Sequence, residues 1–135
     1  MSELTDQDNS RLSTFLIAIF NEWGISNADK VTLLALPTGT KPRAIQQYQQ
    51  GAPFPEDENI QTRVGHFIGI ADALRLAYPR NLQGGKLWLN RPNRHFEQRT
   101  PLSVMIEDGL SGITAVRMRI DCSYDWHVDE LNHQK

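Results

Sequence analysis

The chain has 135 residues, of which 39% are hydrophobic and 22% are charged, a balance typical of a folded globular protein and not of a disordered one. Its longest apolar run, at 15–20, is too short to cross a bilayer, and no charged-then-apolar leader opens the chain. Cys122 is the only cysteine, which excludes an intramolecular disulfide and favours a reducing compartment. We therefore expect a cytoplasmic protein with no membrane partner.

The first predicted helix begins near residue 10. Either Asn9 or Ser10 is suited to cap it, and Gly24 is suited to end it. Between these residues, apolar side chains recur at the spacing of one buried helix face. The predicted face consists of Leu12, Phe15, Leu16, Ile19, Phe20 and Trp23.

Two short helices and one long helix are predicted next. Ser26 is expected to cap the second helix, and Thr40 is expected to cap the third, which ends at Gly51. A long helix over 57–78 follows, with a stripe of small residues along one side. Because a glycine inside a helix costs about 1 kcal/mol relative to alanine, we expect another helix to approach this stripe closely. The stripe consists of Gly65, Gly69 and Ala73.

The remaining pattern is also helical. We expect one helical turn at 86–90, a helix that Thr100 begins and Gly109 ends, and a last helix over 111–123. No stretch shows the sustained two-residue alternation of a strand. The predicted fold class is therefore all-α, a compact helical bundle.

The last predicted helix has an apolar stripe on each of two sides. Such a helix either lies at the centre of a self-contained bundle or uses one side to meet another chain. We expect the second arrangement to give a homodimer. One stripe consists of Ile113, Val116, Ile120 and Tyr124, and the other of Ala115, Met118 and Cys122.

The short third helix is a candidate for contact with DNA. A short helix that follows a tight turn and packs on its neighbours is the arrangement that presents side chains to the major groove. Arginine and glutamine on its outer side could pair with guanine and adenine, and Lys41 could hold a phosphate. The alternative is a solvated polar face that binds no DNA. The candidate residues are Thr40, Lys41, Arg43, Gln46, Gln47 and Gln50.

Catalysis and metal binding have little support in the sequence. The four histidines lie far apart, and no pair has the spacing of metal ligands. His66 is expected to be a packed or hydrogen-bonded side chain, and Cys122 a small buried hydrophobic residue. We therefore expect no enzyme activity, no cofactor and no metal.

Two segments together resemble a known family. They are "WLNRPNRHFEQRTPLSVMIEDG" at 88–109 and "ITAVRMRIDC" at 113–122. In order and spacing they resemble the toxin-binding domain of the Xre/MbcA/ParS antitoxin family, and the likeness extends over about 12–123. The shared positions are Trp88, Leu89, Pro92, Asn93, Phe96, Pro101, Leu102, Gly109, Val116 and Arg117.

The chain departs from the family at two turns. The family usually has a glycine soon after the position of Phe96, and this chain has "EQR" at 97–99. The family's leucine-leucine-glycine turn is Leu33-Leu34-Ala35 here. Both departures concern the conformation of a loop, not the order of the motifs.

The resemblance implies a partner and a division of the chain. The implied partner is a RES-domain toxin, which resembles ADP-ribosyltransferases and depletes NAD; the antitoxin would bind it directly and repress the shared promoter through operator DNA. The N-terminal region, 1–56, would be helix-turn-helix-like. Residues 57–123 would form the long connecting helix and the toxin-binding domain, and 124–135 an acidic tail.

The resemblance also implies a set of toxin contacts. Trp88 and Phe96 would be buried anchors on either side of a turn fixed by Pro92, where Asn93 bonds its own backbone. Arginines outside the turn would meet carboxylates of the partner, and Trp126 in the acidic tail would enter a positive pocket; the alternative for the tail is a frayed terminus. The implied toxin contacts are Trp88, Arg91, Asn93, Arg94, Phe96, Arg99, Arg117, Tyr124 and Trp126.

Two other functions stay open at this point. The first is a stand-alone helix-turn-helix transcriptional regulator that has no toxin partner. The second, with less support, is an enzyme.

Overall fold

The structure, a computed structural model, describes residues 6–81 and 83–133, with side chains described from 7 to 122. Within these ranges the chain is all-α, as the sequence predicts: it has seven α-helices, two 3₁₀ turns at Pro42–Ala44 and Arg94–Phe96, and no strand. The helices are α1 (Asp6–Glu22), α2 (Asn27–Leu34), α3 (Ile45–Gln49), α4 (Glu58–Ala77), α5 (Gly84–Leu89), α6 (Pro101–Asp108) and α7 (Leu110–His133).

The chain divides into two compact units, Met1–Val64 and Gly65–Lys135, and the boundary falls inside α4. In the first unit, α1 packs on α3 and α2 packs on α3 and on the 3₁₀ turn before it. In the second unit, α6 packs on α7 and α5 packs on α6. Each unit is therefore described by itself.

Helix α1 ends at the predicted residue but begins earlier than predicted. Gly24 has a φ of 78°, and its N–H donates to the carbonyl of Asn21, while the N–H of Ile25 donates to that of Phe20. This is the Schellman arrangement that satisfies the last carbonyls of a helix. Asn9 is not the cap, because the polar residues before it contain neither proline nor glycine and continue the helix back to residue 6.

The buried face of α1 contains four of the six predicted residues, Leu16, Ile19, Phe20 and Trp23. Leu16, Ile17 and Phe20 are fully buried, whereas Phe15 was expected in the core and is 47% exposed. Ser13 takes a place on the buried face because its hydroxyl donates to the carbonyl of Asn9 at 3.1 Å. A satisfied hydroxyl can be buried at little cost, and the sequence pattern does not show this.

Helix α2 begins as predicted, with the Ser26 hydroxyl accepting from the N–H of Asp29 at 3.2 Å. Lys30 is buried, and its ammonium donates to the side-chain oxygens of Asn21 and Asn27. Burial lowers the pKa of Lys30. These bonds tie the start of α2 to the end of α1.

The turn after α2 places Ala35 in a conformation that is unusual for alanine. Ala35 has a φ of 55° and a ψ of 44°, in the left-handed region that glycine favours. The N–H groups of Ala35 and Leu36 donate to the carbonyls of Thr32 and Val31. Ala35 thus ends α2 in a conformation that glycine usually adopts.

The third helix starts differently from the prediction. Thr40 does not cap it, because its hydroxyl donates to the carbonyl of Pro37 at 2.6 Å and closes the preceding turn. Lys41 occupies the N-cap position and makes no capping bond with its side chain. Gly51, with a φ of 110°, ends the helix as predicted.

Helix α4 matches its prediction to within one residue at each end. Asp57 caps it by accepting from the N–H of Ile60 at 3.0 Å. Arg63 donates to the carbonyl of Leu33 at 3.0 Å, which fixes the first turns of α4 to the end of α2. Ile68 is only half-buried. The fully or nearly buried residues of α4 are Ile60, Val64, Phe67, Ile70 and Leu74.

In the second unit, α6 and α7 form a close helical pair. Thr100 caps α6 by accepting from the N–H of Ser103 at 3.1 Å, and Gly109 ends it with a φ of 68°, as predicted. A Cβ on Gly112 would overlap the carbonyl oxygen of Val104, so the first turn of α7 requires a glycine to approach α6. The core here consists of Leu89, Val104, Met105, Ile113, Val116 and Ile120.

Two expectations for α7 are wrong. The helix does not end near 123, because its backbone continues to His133 with no glycine or proline to stop it. Cys122 was expected to be buried and is exposed. It falls on the side of α7 that carries Ala115 and Met118, and both of these are exposed as well.

Candidate partner-binding site

The segment after α5 is a compact loop closed by Asn93. The side-chain oxygen of Asn93 accepts from the N–H of His95 at 2.9 Å, which confirms the prediction that it bonds its own backbone. Its N–H donates to the carbonyl of Arg99 at 3.1 Å, and its carbonyl accepts from the N–H of Gln98 at 3.0 Å. We call residues 93–99 the motif loop.

The motif loop contains two consecutive residues in the left-handed region. Glu97 has a φ of 57° and Gln98 a φ of 68°. This conformation costs an ordinary L-residue roughly 1–2 kcal/mol, so the loop holds strain at these two residues. The contacts of Asn93 and Arg99 compensate for that strain.

Trp88 and Phe96 flank the turn but are not the fully buried anchors that were expected. Both are half-buried, whereas Leu89 is completely buried. Adjacent helical residues point about 100° apart, so burying Leu89 leaves Trp88 at the rim of the core. Half-buried aromatic rings keep surface that a partner can cover.

The arginines of this region fall into two groups. Arg91 and Arg94 are exposed. Arg99 instead makes a two-pronged pair with Asp108, with Nη1–Oδ2 at 3.0 Å and Nη2–Oδ1 at 3.1 Å, and reaches Glu107 at 2.9 Å. The sequence interpretation assigned Arg99 to a partner's carboxylates, yet carboxylates of its own chain bind it.

The Arg99–Asp108 pair braces the motif loop against α6. The hydrogen bond from Arg99 holds the pKa of Asp108 below its ordinary value. The same bond raises the pKa of Arg99. Because both oxygens of the carboxylate are engaged, the guanidinium is fixed in orientation as well as in place.

An open groove of about 250 Å³ lies between the motif loop and the start of α7. Phe96, Val104 and Ala115 line its apolar part, and His95, Glu97 and Ser111 its polar part. No sequence pattern indicates this groove, since it depends on how closely Gly112 lets α7 approach α6.

Arg117 lies against α4 within the second unit. Its Nη1 is 3.2 Å from Nδ1 of His66, and its Nε is 3.9 Å from the carboxylate of Asp121. A guanidinium can only donate, so Nδ1 of His66 is the acceptor. Burial first, and then the charge of Arg117, lowers the pKa of His66. This fits the prediction that His66 is a hydrogen-bonded side chain.

The small-residue stripe of α4 does not receive another helix along its length. A Cβ on Gly65 would meet nothing within 4 Å, so the expected close approach is wrong there. At Gly69, a Cβ would lie 2.5 Å from Cζ of Arg117, and the side chain of that arginine fills the place. Within the stripe, Gly69 thus receives the side chain of Arg117 and not another helix, and we call this place the seat of Arg117. Helix periodicity does not reveal this contact.

The other predicted toxin contacts, Tyr124 and Trp126, lie where the backbone of α7 is described but side chains are not. Their side chains therefore lie outside the described part of the chain, and their roles in toxin binding stay predictions.

The candidate DNA-binding residues lie in the first unit. Ile45 and Tyr48 of α3 are buried, and the ring of Tyr48 packs on Phe54 at a centroid distance of 5.1 Å. Thr40 is half-buried, and the remaining candidates are exposed. These exposed residues are Lys41, Arg43, Gln46, Gln47 and Gln50.

Among the described residues, no group of three or more histidine, cysteine, aspartate or glutamate side chains is placed to hold a metal ion. No helix in the described part of the chain has the length and apolar character needed to cross a membrane.

Comparison with known proteins agrees with the resemblance seen in the motifs. Residues 79–121 match the model of the antitoxin Xre/MbcA/ParS C-terminal toxin-binding domain. The match confirms the resemblance over this segment, which holds the motif loop, α6 and the seated Arg117, and it supports an antitoxin role with a toxin as partner. The chain is also similar to the uncharacterized protein y4oB of Sinorhizobium fredii. The two are 26% identical over 117 residues, which cover 84% of this chain and 87% of the relative.

Proposed function

We propose that the chain is the antitoxin of a two-protein toxin–antitoxin pair and that it neutralises a RES-domain, NAD-depleting toxin by direct binding. The observation that carries this proposal is the match of 79–121 to a toxin-binding domain. The geometry of the motif loop and of the residues just before it adds support, because half-buried Trp88 and Phe96 and exposed Arg91 and Arg94 lie on or beside a braced backbone.

The braced loop suits binding to a protein surface. Association costs less entropy when the binding segment already has one conformation, and the bonds of Asn93 and Arg99 supply that order. Trp88 and Phe96 would be the central contacts, since aromatic anchors carry much of the energy of protein interfaces. Arg91 and Arg94 would meet carboxylates of the toxin.

The C-terminal part of α7 would add to the contact. A toxin that binds NAD must hold a pyrophosphate, and arginines do this best, so its pocket should be positive. Trp126, with Asp125 and Asp129 beside it, and Tyr124 offer an aromatic and acidic segment that matches such a pocket.

Repression of the shared promoter is the second part of the proposal. The polar outer face of α3 over a buried inner face is the form of a recognition helix. A homodimer would present two such helices to a two-fold operator. The exposed apolar side of α7, with Ala115, Met118 and Cys122, is the surface that we propose for dimerisation.

Co-expression with the product of the neighbouring gene, which the proposal takes to be a RES-domain toxin, tests the main proposal. The full chain should restore growth and co-purify with the toxin. Arg91→Ala with Arg94→Ala should weaken the complex about tenfold or more. The matched control is Arg11→Ala, which removes an exposed arginine from α1. A chain that binds its own promoter but no toxin would instead be a stand-alone regulator.

A further inference from the structure

We infer that His66 and Gly69 on α4 are positioning residues that hold the guanidinium of Arg117 in one place, where it receives an acidic group of the toxin. This inference rests on the proposed function. His66 and Gly69 both lie outside the segment that matches the toxin-binding domain.

The first step is the shape of the seat. A Cβ on Gly69 would lie 2.5, 2.6 and 2.7 Å from Cζ, Nε and Nη2 of Arg117. Because these three distances are nearly equal, the plane of the guanidinium lies face-on against the position of that Cβ. Any residue larger than glycine would displace the guanidinium, so Gly69 is required for the place that Arg117 takes.

The second step is the orientation of Arg117. His66 accepts from Nη1 at 3.2 Å and thereby fixes the rotation of the planar group on the seat. Asp121, one turn along α7, is 3.9 Å from Nε, too long for a hydrogen bond. The orientation is therefore set mainly from α4, by a residue that is 51 positions away in the chain.

The third step concerns the N–H donors of Arg117 that remain available to a partner. Its side chain is 39% exposed, and an arginine has five N–H donors, of which the bond to His66 uses one. A planar guanidinium that is already held loses little freedom when a carboxylate binds it. Arg117 is thus prepared for an acidic side chain of the partner.

The test compares Gly69→Ala with Gly65→Ala in the full chain. Both changes replace a glycine in α4, so both raise helix propensity alike, but only the first collides with Arg117. The affinity for the RES-domain toxin is measured by titration calorimetry. Gly69→Ala should weaken this binding about tenfold. Gly65→Ala should change the toxin affinity less than about twofold. Gly69→Ala should have an equally small effect when Arg117→Ala is already present.

His66 provides the second comparison. His66→Ala should weaken toxin binding in the same way as Gly69→Ala. His66→Asn should restore most of the affinity, because its side-chain oxygen can accept near the place of Nδ1. A role in stability alone would lower the melting temperature of both variants and would not separate their affinities for the toxin.

A measurement on the free chain tests whether Arg117 is held against His66 and Gly69 when no toxin is present. The ¹⁵N spectrum of His66 should show an unprotonated Nδ1 that shifts in Gly69→Ala and stays unchanged in Gly65→Ala. Equal spectra in all three proteins would overturn the seat itself. Wild-type affinity in Gly69→Ala would overturn its role in toxin binding. A wild-type chain that binds no toxin would overturn the proposed function and this role with it, while the spectra still decide whether the seat exists.

Discussion

In the part of the chain that the structure describes, two turns hold non-glycine residues in left-handed conformations, and they are stabilised in different ways. Ala35 ends α2 between Leu34, which is fully buried, and Leu36, which is 8% exposed. Glu97 and Gln98 are both exposed, and polar bonds hold their loop. Hydrophobic burial therefore offsets the strain in the first unit, and a salt bridge with an asparagine turn offsets it in the second.

The difference indicates what each turn is for. A strained turn that is held by buried leucines is part of the core, and it persists wherever the fold persists. A strained turn that is held by exposed polar contacts has its surface free for a partner, and local strain is common at binding sites. The predictions below test this contrast, from the largest expected effect to the smallest.

The largest effect should come from Leu34→Ala. Removing a fully buried leucine should lower the free energy of unfolding by about 2–5 kcal/mol, because it leaves a cavity beside the turn. The measurement is urea denaturation. The matched change in the other turn is Gln98→Ala, where the side chain is exposed and the loss should stay within about 0.5 kcal/mol. Similar losses in both variants would contradict the contrast.

Ala35→Gly should stabilise the protein. A left-handed conformation costs alanine roughly 1–2 kcal/mol, and glycine loses about 0.5–1 kcal/mol more backbone entropy on folding, so the net gain is about 0.5–1 kcal/mol. Thermal unfolding measures it, with toxin affinity unchanged. A loss of stability would show that the turn is not strained.

The sequence predicts most helices of the fold well because the signals that begin and end a helix are local. The caps at Ser26 and Thr100 involve atoms three residues apart, and the ends of α4 follow from residues beside them. Whether a helix forms and where it ends were therefore mostly predictable. The start of α1 and the end of α7 were not, because residues that break no helix can extend a helix.

The rest could not be predicted because it depends on contacts that are distant in sequence. The exposure of Phe15 and Cys122 depends on how α1 and α7 are rotated against their neighbours, and helix periodicity allows more than one rotation. The same holds for the seat of Arg117, whose partner His66 is 51 residues away. Of the candidate site, the motif order was visible in the sequence, and the contacts that hold it were not.

Glu97→Gly separates stability from binding in the motif loop. Glycine relieves the left-handed strain but also loses more backbone entropy on folding, so the net gain in stability should be about 0.5–1 kcal/mol, as at Ala35. Toxin affinity should fall about threefold, since the loop must then lose more entropy on binding. Ala35→Gly is the control, since it makes the same kind of change outside the motif loop. Equal toxin affinities for the two variants would contradict a binding role for the strained loop.

The smallest effect should appear at acidic pH and only in the second unit. Arg99 holds the pKa of Asp108 below its ordinary value of 3.8, so the stability that this pair contributes is present above pH 3.8 and is lost as the pH falls through the lowered value. The pair is largely exposed, so solvent and salt screen it and the change should be confined to the motif loop. Backbone amide signals of 97–99 should move over this range, while those of Ala35 and Leu36 should not. In Asp108→Asn the neutral side chain does not titrate, so the movement at 97–99 should be smaller than in the wild type, although Arg99 keeps its bond to Glu107. If the amides near Ala35 move together with those of the motif loop, acid is loosening the whole protein and the two turns do not differ in what holds them.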